Sequence, residues 1–439
     1  MKARACTALL ACTGLALVLG VTPGAAGPAP LFAPPQRHAA GANPAAVVIA
    51  DLDGNGRLDL AAANSGAGSV SVFLNGQAGF HGRRDYETGF VPYSLACGDL
   101  NGDGKQDLAT ANYDLDSVSV LLNRGDGTFA PAVDYTAGTF PVSIALGDLN
   151  GDGKPDLVTA NSGSDTVSVL LNTGDGSYAP PLAYATAKGP LAVALGDLTG
   201  DGKADLALVA SNDADEDYLL SVLVNRGDGT FAPRHDYPTG ALPSTLAIAD
   251  VDVDGRLDVV TGNYTSLSVF LNRSGTFQRR DYRTDTGNDV AVADLNGDRR
   301  PDVATATNDG VAVFTNQGVG IFDKPVHVGP RLGFYPSAVA IGDLNGDGKP
   351  DLVTAEYFGT VSVLVNTTGH CTVPDVTRKT LKDAKRMIAQ ASCRVGAIHR
   401  AYSQDVTRGQ VISQKPRFGA VLPKGTKVGL LVSRGARKA

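Results

Sequence analysis

Tryptophan is absent from the 439 residues, methionine occurs twice and histidine only six times. Without Trp the chain lacks the side chain best suited to stack on a sugar ring, which leaves tyrosines such as Tyr93, Tyr113 and Tyr357 for that task. The histidines (His38, His81, His235, His327, His370 and His399) stand singly, four of them in segments that read as solvent-facing outer strands. No His-Glu-x-x-His run offers a zinc-hydrolase site, and neither a Gly-x-Ser-x-Gly elbow nor a phosphate-binding glycine loop occurs. Beyond the first 25 or so residues no apolar run is long enough to read as a membrane-spanning helix. These absences exclude the common hydrolase and nucleotide-binding classes and direct attention to what the chain has in excess.

That excess is glycine, 53 residues with no three-residue period, which points to many tight turns and short strands. The length suits one large repeat array plus a small domain. Residues 1–26 read as an export signal: Lys2 and Arg4 precede an apolar run from Ala8 to Val21, and Gly24, Ala25 and Ala26 supply small residues for cleavage. Leu9-Leu10-Ala11-Cys12 resembles a lipoprotein box, but the apolar run continues past Cys12 and argues against lipidation there. Export leaves Cys97, Cys371 and Cys393. The last two fall in one short module and can pair in an oxidising compartment, whereas Cys97 reads as a small buried hydrophobe. The net charge of −7 conceals an asymmetry, with +12 on residues 371–439 and −19 on the remainder.

Self-comparison finds seven copies of one unit, starting at Asp51, Asp99, Asp148, Asp197, Asp250, Asp294 and Asp343, at spacings of 48, 49, 49, 53, 44 and 49 residues. Each reads as an apolar strand, an acidic loop, a Leu-Asp-Leu-type strand, a Val-Ser-Val-Leu-Leu-Asn strand, a glycine turn and an outer segment. Four short strands per unit, with no helical period, predict a seven-bladed β-propeller over residues 27–368. The last unit lacks an outer segment after Asn366, while an orphan one, from Phe32 to Gly41, precedes the first unit. The N-terminal strand is therefore expected to complete the last blade and close the ring, removing a free edge.

Each acidic loop places side-chain oxygens at positions one, three, five and nine, with glycine usually at four and six. Position one is Asp51, Asp99, Asp148, Asp197, Asp250, Asp294 and Asp343. Position three is Asp53, Asn101, Asn150, Thr199, Asp252, Asn296 and Asn345. Position five is Asn55, Asp103, Asp152, Asp201, Asp254, Asp298 and Asp347, and position nine is Asp59, Asp107, Asp156, Asp205, Asp258, Asp302 and Asp351. Hard oxygen donors in a curled loop suit Ca²⁺ rather than Zn²⁺, so up to seven structural calcium sites are expected. The loops are unequal: Thr199 is a poor ligand, Val253 replaces Gly at position four, and Arg299 replaces Gly at position six. The sixth loop is the weakest of the seven on that reading.

The repeated Asp-x-Asp/Asn-x-Asp-Gly-x-x-Asp signature resembles the FG-GAP/VCBS family of repeats, found in integrin-type propellers and secreted bacterial proteins, across about residues 30–368. The resemblance implies the seven-bladed fold and loop calcium, and no single biochemical activity.

Residues 369–435 break the repeat, and a basic tail, 436–439, follows. Thr380 and Asp383 form a capping box that opens a helix to about Ser392, with Leu381, Ala384, Met387, Ile388 and Ala391 on one face. Strands are expected around Gln410–Ser413 and Lys427–Ser433, and a Cys371–Cys393 bridge would staple this small α+β module. Val373-Pro374-Asp375-Val376, Val411 to Gln414, Pro416, Gly419, Gly425 and Val428 resemble a PASTA domain, a module of extracellular parts of bacterial kinases and penicillin-binding proteins, some of which associate with peptidoglycan.

Two classes of function fit. One is an extracellular, cell-wall-associated binding or scaffold protein that is not an enzyme. Its expected partners are peptidoglycan or an anionic wall polymer, or another extracellular protein or glycan, with no nucleic acid and no membrane span. The alternative is a lectin-like protein or carbohydrate-active enzyme acting on wall polysaccharide. Tyr113, the stretch Asn212–Tyr218 and Tyr357-Phe358 break the plain turns of their sister repeats and are candidate ligand contacts.

Overall fold

The computed structural model describes residues 32–212, 217–284, 287–329, 335–368, 370–423 and 425–436. The expected signal segment, Cys12 and most of the 436–439 tail lie outside the described residues, as do residues 213–216 of the Asn212–Tyr218 stretch. The chain forms two compact units, one of Pro34–Asn366 and the other from Thr367 on. Among the described residues no helix is long and apolar enough to cross a membrane.

The first unit is all-β and propeller-like, built of four-stranded antiparallel sheets, seven among the described residues, none of which closes on itself. The second repeat shows the pattern: Pro92–Gly98, Asp107–Asn112, Ser117–Leu121 and Val133–Thr136 pair in sequence order. The middle strands are buried on both faces because sheets stack on either side of them, and their small and β-branched residues let those sheets approach. The outer strand is mostly exposed. In the last sheet the fourth strand comes from the N-terminus: Gln36–Ala39 pairs antiparallel with Thr360–Leu364.

Apolar clusters fill the spaces between successive sheets, and one joins the first sheet to the last, with Val47, Leu60 and Phe73 packed on Ala338, Val353 and Val361. A second, aromatic layer lies further out. Tyr86, Tyr135, Tyr184, Tyr237 and Tyr282 each meet the ring of Phe129, Tyr178, Phe231, Phe277 and Phe322 of the next repeat edge to face, at 5.2–5.5 Å between centroids. Their hydroxyls donate to glycine carbonyls of the same turns. In the N-terminal strand His38 takes the tyrosine's place, 5.4 Å from Phe80 of the first repeat. The reading of His38 as a solvent-facing residue is thereby corrected: its Nε2 is buried without a hydrogen-bond partner, and burial holds the imidazole below its ordinary pKa.

The sheets are also tied by an asparagine that ends each third strand. Asn123 donates one amide hydrogen to the Gln106 carbonyl of its own loop and the other to the Leu52 carbonyl of the preceding repeat, both at 2.8 Å. Asn172, Asn225, Asn272, Asn316 and Asn366 repeat the inter-repeat bond to Leu100, Leu149, Leu198, Val251 and Leu295 at 2.7–3.0 Å. Asn75 makes it to Leu344 of the last repeat, 269 residues away, at 2.7 Å. The Oδ1 of Asn123 accepts from the Gly125 amide, so every polar atom of this buried side chain is used.

One inner strand departs from the others. At the position occupied by Ser94, Ser143 or Thr245, the sixth repeat has Asp289, fully buried, accepting from Thr245 Oγ1 and from the Val339 amide of the seventh repeat, both at 2.9 Å. Burial pushes its carboxyl up to about 7, against the pull of those donors.

The second unit has its own core. The helix Leu381–Gln390 is capped by Thr380, whose Oγ1 accepts from the Asp383 amide at 3.2 Å. Its buried Ala384 and Ile388 pack with Val376, Val411, Val428 and Val432. Lys427–Ser433 lies between Arg394–Ala401, to which it is parallel, and Val411–Lys415, to which it is antiparallel. The strand Arg394–Ala401 has no clear signal in the sequence, because its alternation of Val395, Ala397 and Ile398 with Arg and His is irregular. Cys371 and Cys393 are disulfide-bonded, Cα atoms 4.7 Å apart.

Two outcomes follow from this packing. Asn123→Ala strands two buried carbonyls and lowers unfolding free energy by about 2–4 kcal/mol in urea titrations, and Asn123→Asp, which cannot donate, is no better. The raised value of Asp289 means its contribution to stability is full below its ordinary value of 3.8 and is lost as pH rises through about 7. Calorimetry at pH 4, 6 and 8 is therefore expected to show Asp289→Asn gaining on the parent protein as pH rises, by roughly 1.4 kcal/mol per unit of relieved shift.

Candidate metal loops

In each repeat the acidic loop joins the first strand to the second, so all the loops and the glycine turns after the third strands share one face. The loop at Asp148 shows how the chain winds. Asp148 Oδ1 accepts from the amides of Gly151 and Asp152, at 2.7 and 3.2 Å, and its Oδ2 from Gly153 at 2.9 Å. Asn150 Oδ1 accepts from Asp152, and Asp152 Oδ1 from Lys154, both at 2.9 Å. The glycines at positions four and six are left-handed, with φ of 77° and 81°, which turns their N–H groups inward. The position-nine carboxylate is fully buried and bridges two segments: Asp156 Oδ2 accepts from Leu149 and Oδ1 from Asn172, at 2.9 and 2.8 Å. The same pair of bonds recurs at Asp59, Asp107, Asp205, Asp258, Asp302 and Asp351.

Burial is the main cause that pushes these carboxyls upward, to about 6 at Asp59, Asp107, Asp258 and Asp351 and about 7 at Asp302, with the loop aspartates adding to the rise. The backbone donors oppose it. A divalent cation would supply the missing positive charge here, and carboxylate and amide oxygens are the donor set for a hard cation. Residues at positions one, three, five and nine could hold it. Asp51, Asp53 and Asp59 bring one oxygen each within 4.8 Å of one another, as do Asp250, Asp252 and Asp254. In the other five loops Asn101, Asn150, Thr199, Asn296 and Asn345 stand at position three, and the three carboxylates are those of positions one, five and nine.

The irregular loops keep the winding at a cost. Val253 has φ 59° and Arg299 φ 66°, where their sisters are glycines. Arg299 still donates its amide to Asp294 Oδ2 at 2.7 Å, as glycine does elsewhere, so the sixth loop is strained but wound.

Sequence reasoning missed two features of the loops. The basic residue at position seven pairs with the position-five carboxylate in five repeats: Lys105–Asp103, Lys154–Asp152, Lys203–Asp201, Arg256–Asp254 and Arg300–Asp298, at 2.6–3.6 Å. These pairs, partly exposed except for the more buried Arg300–Asp298, and the inward amides relieve part of the repulsion among the loop carboxylates. In the fifth loop a further cation intervenes, as Arg273 Nη1 lies 2.7 Å from Asp252 and 3.0 Å from Asp254. The other oxygen of Asp252, Oδ1, is buried without a hydrogen-bond partner. The invariant asparagines were also visible as a letter in all seven copies, without an assigned role.

Comparison with known proteins fits this geometry. Six overlapping stretches, residues 51–110, 99–159, 148–208, 207–261, 250–305 and 294–354, match the FG-GAP-like repeat. The chain belongs to the FG-GAP-like repeat family. Its C-terminal residues 372–434 match the PASTA domain. A probable serine/threonine-protein kinase of Clostridium acetobutylicum is 39% identical over 64 residues, 15% of this chain and 10% of the kinase. The probable serine/threonine-protein kinase PknB of Lactococcus lactis is 33% identical over 76 residues, 17% of this chain and 12% of the kinase. The chain thus spans about a tenth of these relatives' length, and only through the PASTA region. Among solved structures, that of BBS1N in complex with ARL6DN superposes with a TM-score of 0.55 at 14% identity, covering 76% of this chain and 96% of that one. An Agrocybe aegerita lectin that recognises non-reducing terminal N-acetylglucosamine gives 0.47 at 23% identity, over 65% of this chain and 80% of the lectin.

Arg273→Ala tests the resident cation of the fifth FG-GAP-like loop. In chelator it is expected to cost about 1–2 kcal/mol by leaving Asp252 uncompensated, and a divalent cation restores the loss in thermal melts.

Proposed function

We propose that the protein is a secreted, seven-bladed β-propeller whose acidic loops hold structural calcium, acting as an extracellular binding or scaffold protein without catalytic activity. The observation that carries this reading is the repetition: one wound, oxygen-rich loop per repeat, each with a buried carboxylate bridging strands. The pairing of Gln36–Ala39 with the last sheet and the Asn75–Leu344 bond support closure of the ring by the N-terminal strand. We assign residues 1–26 to an export signal, 27–368 to the propeller, 369–435 to the PASTA module and 436–439 to a basic tail. The net +12 of residues 371–439 and the PASTA match favour association with peptidoglycan or anionic wall polymer. A second reading, lectin-like binding, draws support from the aromatic residues on the face opposite the metal loops.

A site with Kd near 10⁻⁴ M in about 1 mM calcium adds roughly 1.4 kcal/mol, and seven such sites about 10 kcal/mol. Chelation is therefore expected to lower the melting temperature by more than about 10 °C, and an unchanged melt would sink the calcium assignment. Sedimentation of the whole chain, and of a chain ending at Thr368, with insoluble cell wall tests the anchor. Loss of sedimentation in the shorter chain places wall binding in the PASTA module; equal sedimentation transfers it to the propeller.

A further inference from the structure

The connections from outer to inner strands, and from second to third strands, lie at the end of the repeat unit opposite the metal loops. Among its described residues, every strongly exposed aromatic is found there: Phe90, Phe140, Tyr264, Tyr335, Tyr357 and Phe358. The metal face presents only aliphatic side chains of comparable exposure, such as Val253 and Val319. The slots that carry these rings are shared by the repeats. The residue after the second strand is Ser65 in the first repeat and Ser162 in the third, but Tyr264, Asn308 and Tyr357 in the last three. The residue before the inner strand's proline is left-handed in several repeats, and is Gly189 in the fourth but Leu242 and Tyr335, with φ of 54° and 37°, in the fifth and seventh. Bulky side chains in that conformation are strained, so the frame tolerates a cost at the rim.

The aromatics around the second and third repeats have closed on one another. Tyr113 stacks on Phe140 with centroids 4.7 Å apart and planes 13° apart, and Tyr93 packs against Tyr113. Where the fifth, sixth and seventh repeats meet, the rings touch edge to face and stay exposed rather than stacking flat. Phe358 is at right angles to Tyr335 and Tyr357, 81° and 84°, and these three rings and Tyr264 line one cavity of about 490 Å³. That volume lies within the range of small-molecule sites. Leu242 and Pro336 add apolar surface, and the polar side chains of the lining are uncharged: Asn288, Asn308, Ser244 and Ser337. Asn288 donates to the Pro336 carbonyl, Ser244 to Gly287 and Ser337 to Pro44, which leaves their oxygens as acceptors.

We propose that this cavity binds a neutral saccharide. The assignment rests on the reading of the repeat array as an extracellular binding ring. Pyranose rings combine an apolar C–H face, which packs on an aromatic ring, with hydroxyls that both donate and accept, which amide and hydroxyl side chains match. A phosphorylated or carboxylated ligand would call for an Arg or Lys, and none lines the cavity among the described residues. The departure of this one place from the sister repeats makes it a single site per chain rather than a repeated one.

The test uses the whole calcium-supplemented chain, with cellotetraose and chitotetraose as neutral probes and a hydrophobic proline-rich decapeptide as the competing ligand class, read by calorimetric titration. One site per chain for at least one tetrasaccharide is expected, weakened at least tenfold by Tyr357→Ala or Phe358→Ala. Both side chains are more than half exposed, so the fold survives their loss, and an unchanged melt verifies this. Tyr402→Ala, in the C-terminal unit, leaves binding unchanged. The proposal is overturned if neither tetrasaccharide binds, if binding survives both cavity substitutions, or if the peptide alone binds. Where the melt remains chelator-sensitive, such a failure removes the saccharide site and leaves the calcium propeller standing; a chelator-insensitive melt removes the calcium assignment independently.

Discussion

A primary amide, placed once per repeat at the end of the third strand, does what apolar packing between sheets cannot. Apolar contacts are non-directional, and two stacked sheets can slide against each other with little change in buried area. Asn123 cannot slide, since its two N–H bonds fix the distance between its own loop and the loop of the preceding repeat at once. Because the partner is a backbone carbonyl next to the position-one aspartate, the amide also sets where each acidic loop begins. Sheet spacing and loop geometry are thereby a single quantity, and the face of acidic loops inherits its regularity from the asparagines.

The position-nine aspartate completes this arrangement from the other side. It receives the amide of the same asparagine and that of the loop's second residue, so its carboxylate is buried between two segments that only meet in the folded chain. Two backbone donors do not balance the desolvation, and the carboxyl is left above its ordinary range. The loop frame is held by its own hydrogen bonds and is short of positive charge at its centre. Lysine and arginine at position seven, and Arg273 in the fifth loop, are weaker substitutes drawn from the chain itself.

Most of this frame could be read from letters alone, because a fold repeated seven times repeats its signals. The strand count, the acidic positions and the missing outer strand all emerged from aligning the chain with itself. Features that depend on distance did not. Asn123 looks like any strand-ending turn residue until its partner 71 positions earlier is known. His38 looked exposed because outer strands are polar, whereas its position opposite Val361 turns it towards Phe80. Tyr113 and Tyr357 occupy the same slot in sequence, yet one ring is stacked away and the other left open, a difference set by Phe140 and Phe358 rather than by either tyrosine. Asp289 stands out as the one carboxylate at a hydroxyl position, but only burial reveals its cost.

The strand Gln36–Ala39 ties the order of synthesis to the order of assembly. It is made well before its partner Thr360–Leu364, which lies more than 300 residues later. Until the seventh repeat has emerged, the earliest strand has no edge to join and the growing array has an open seam at each end. The early repeats can fold on their neighbours one at a time, but the pairing of Gln36–Ala39 has to wait for Thr360–Leu364. A chain cut before Thr360 leaves Gln36–Ala39 without the strand it pairs with, so the first strand of the array reports on whether the last has been made.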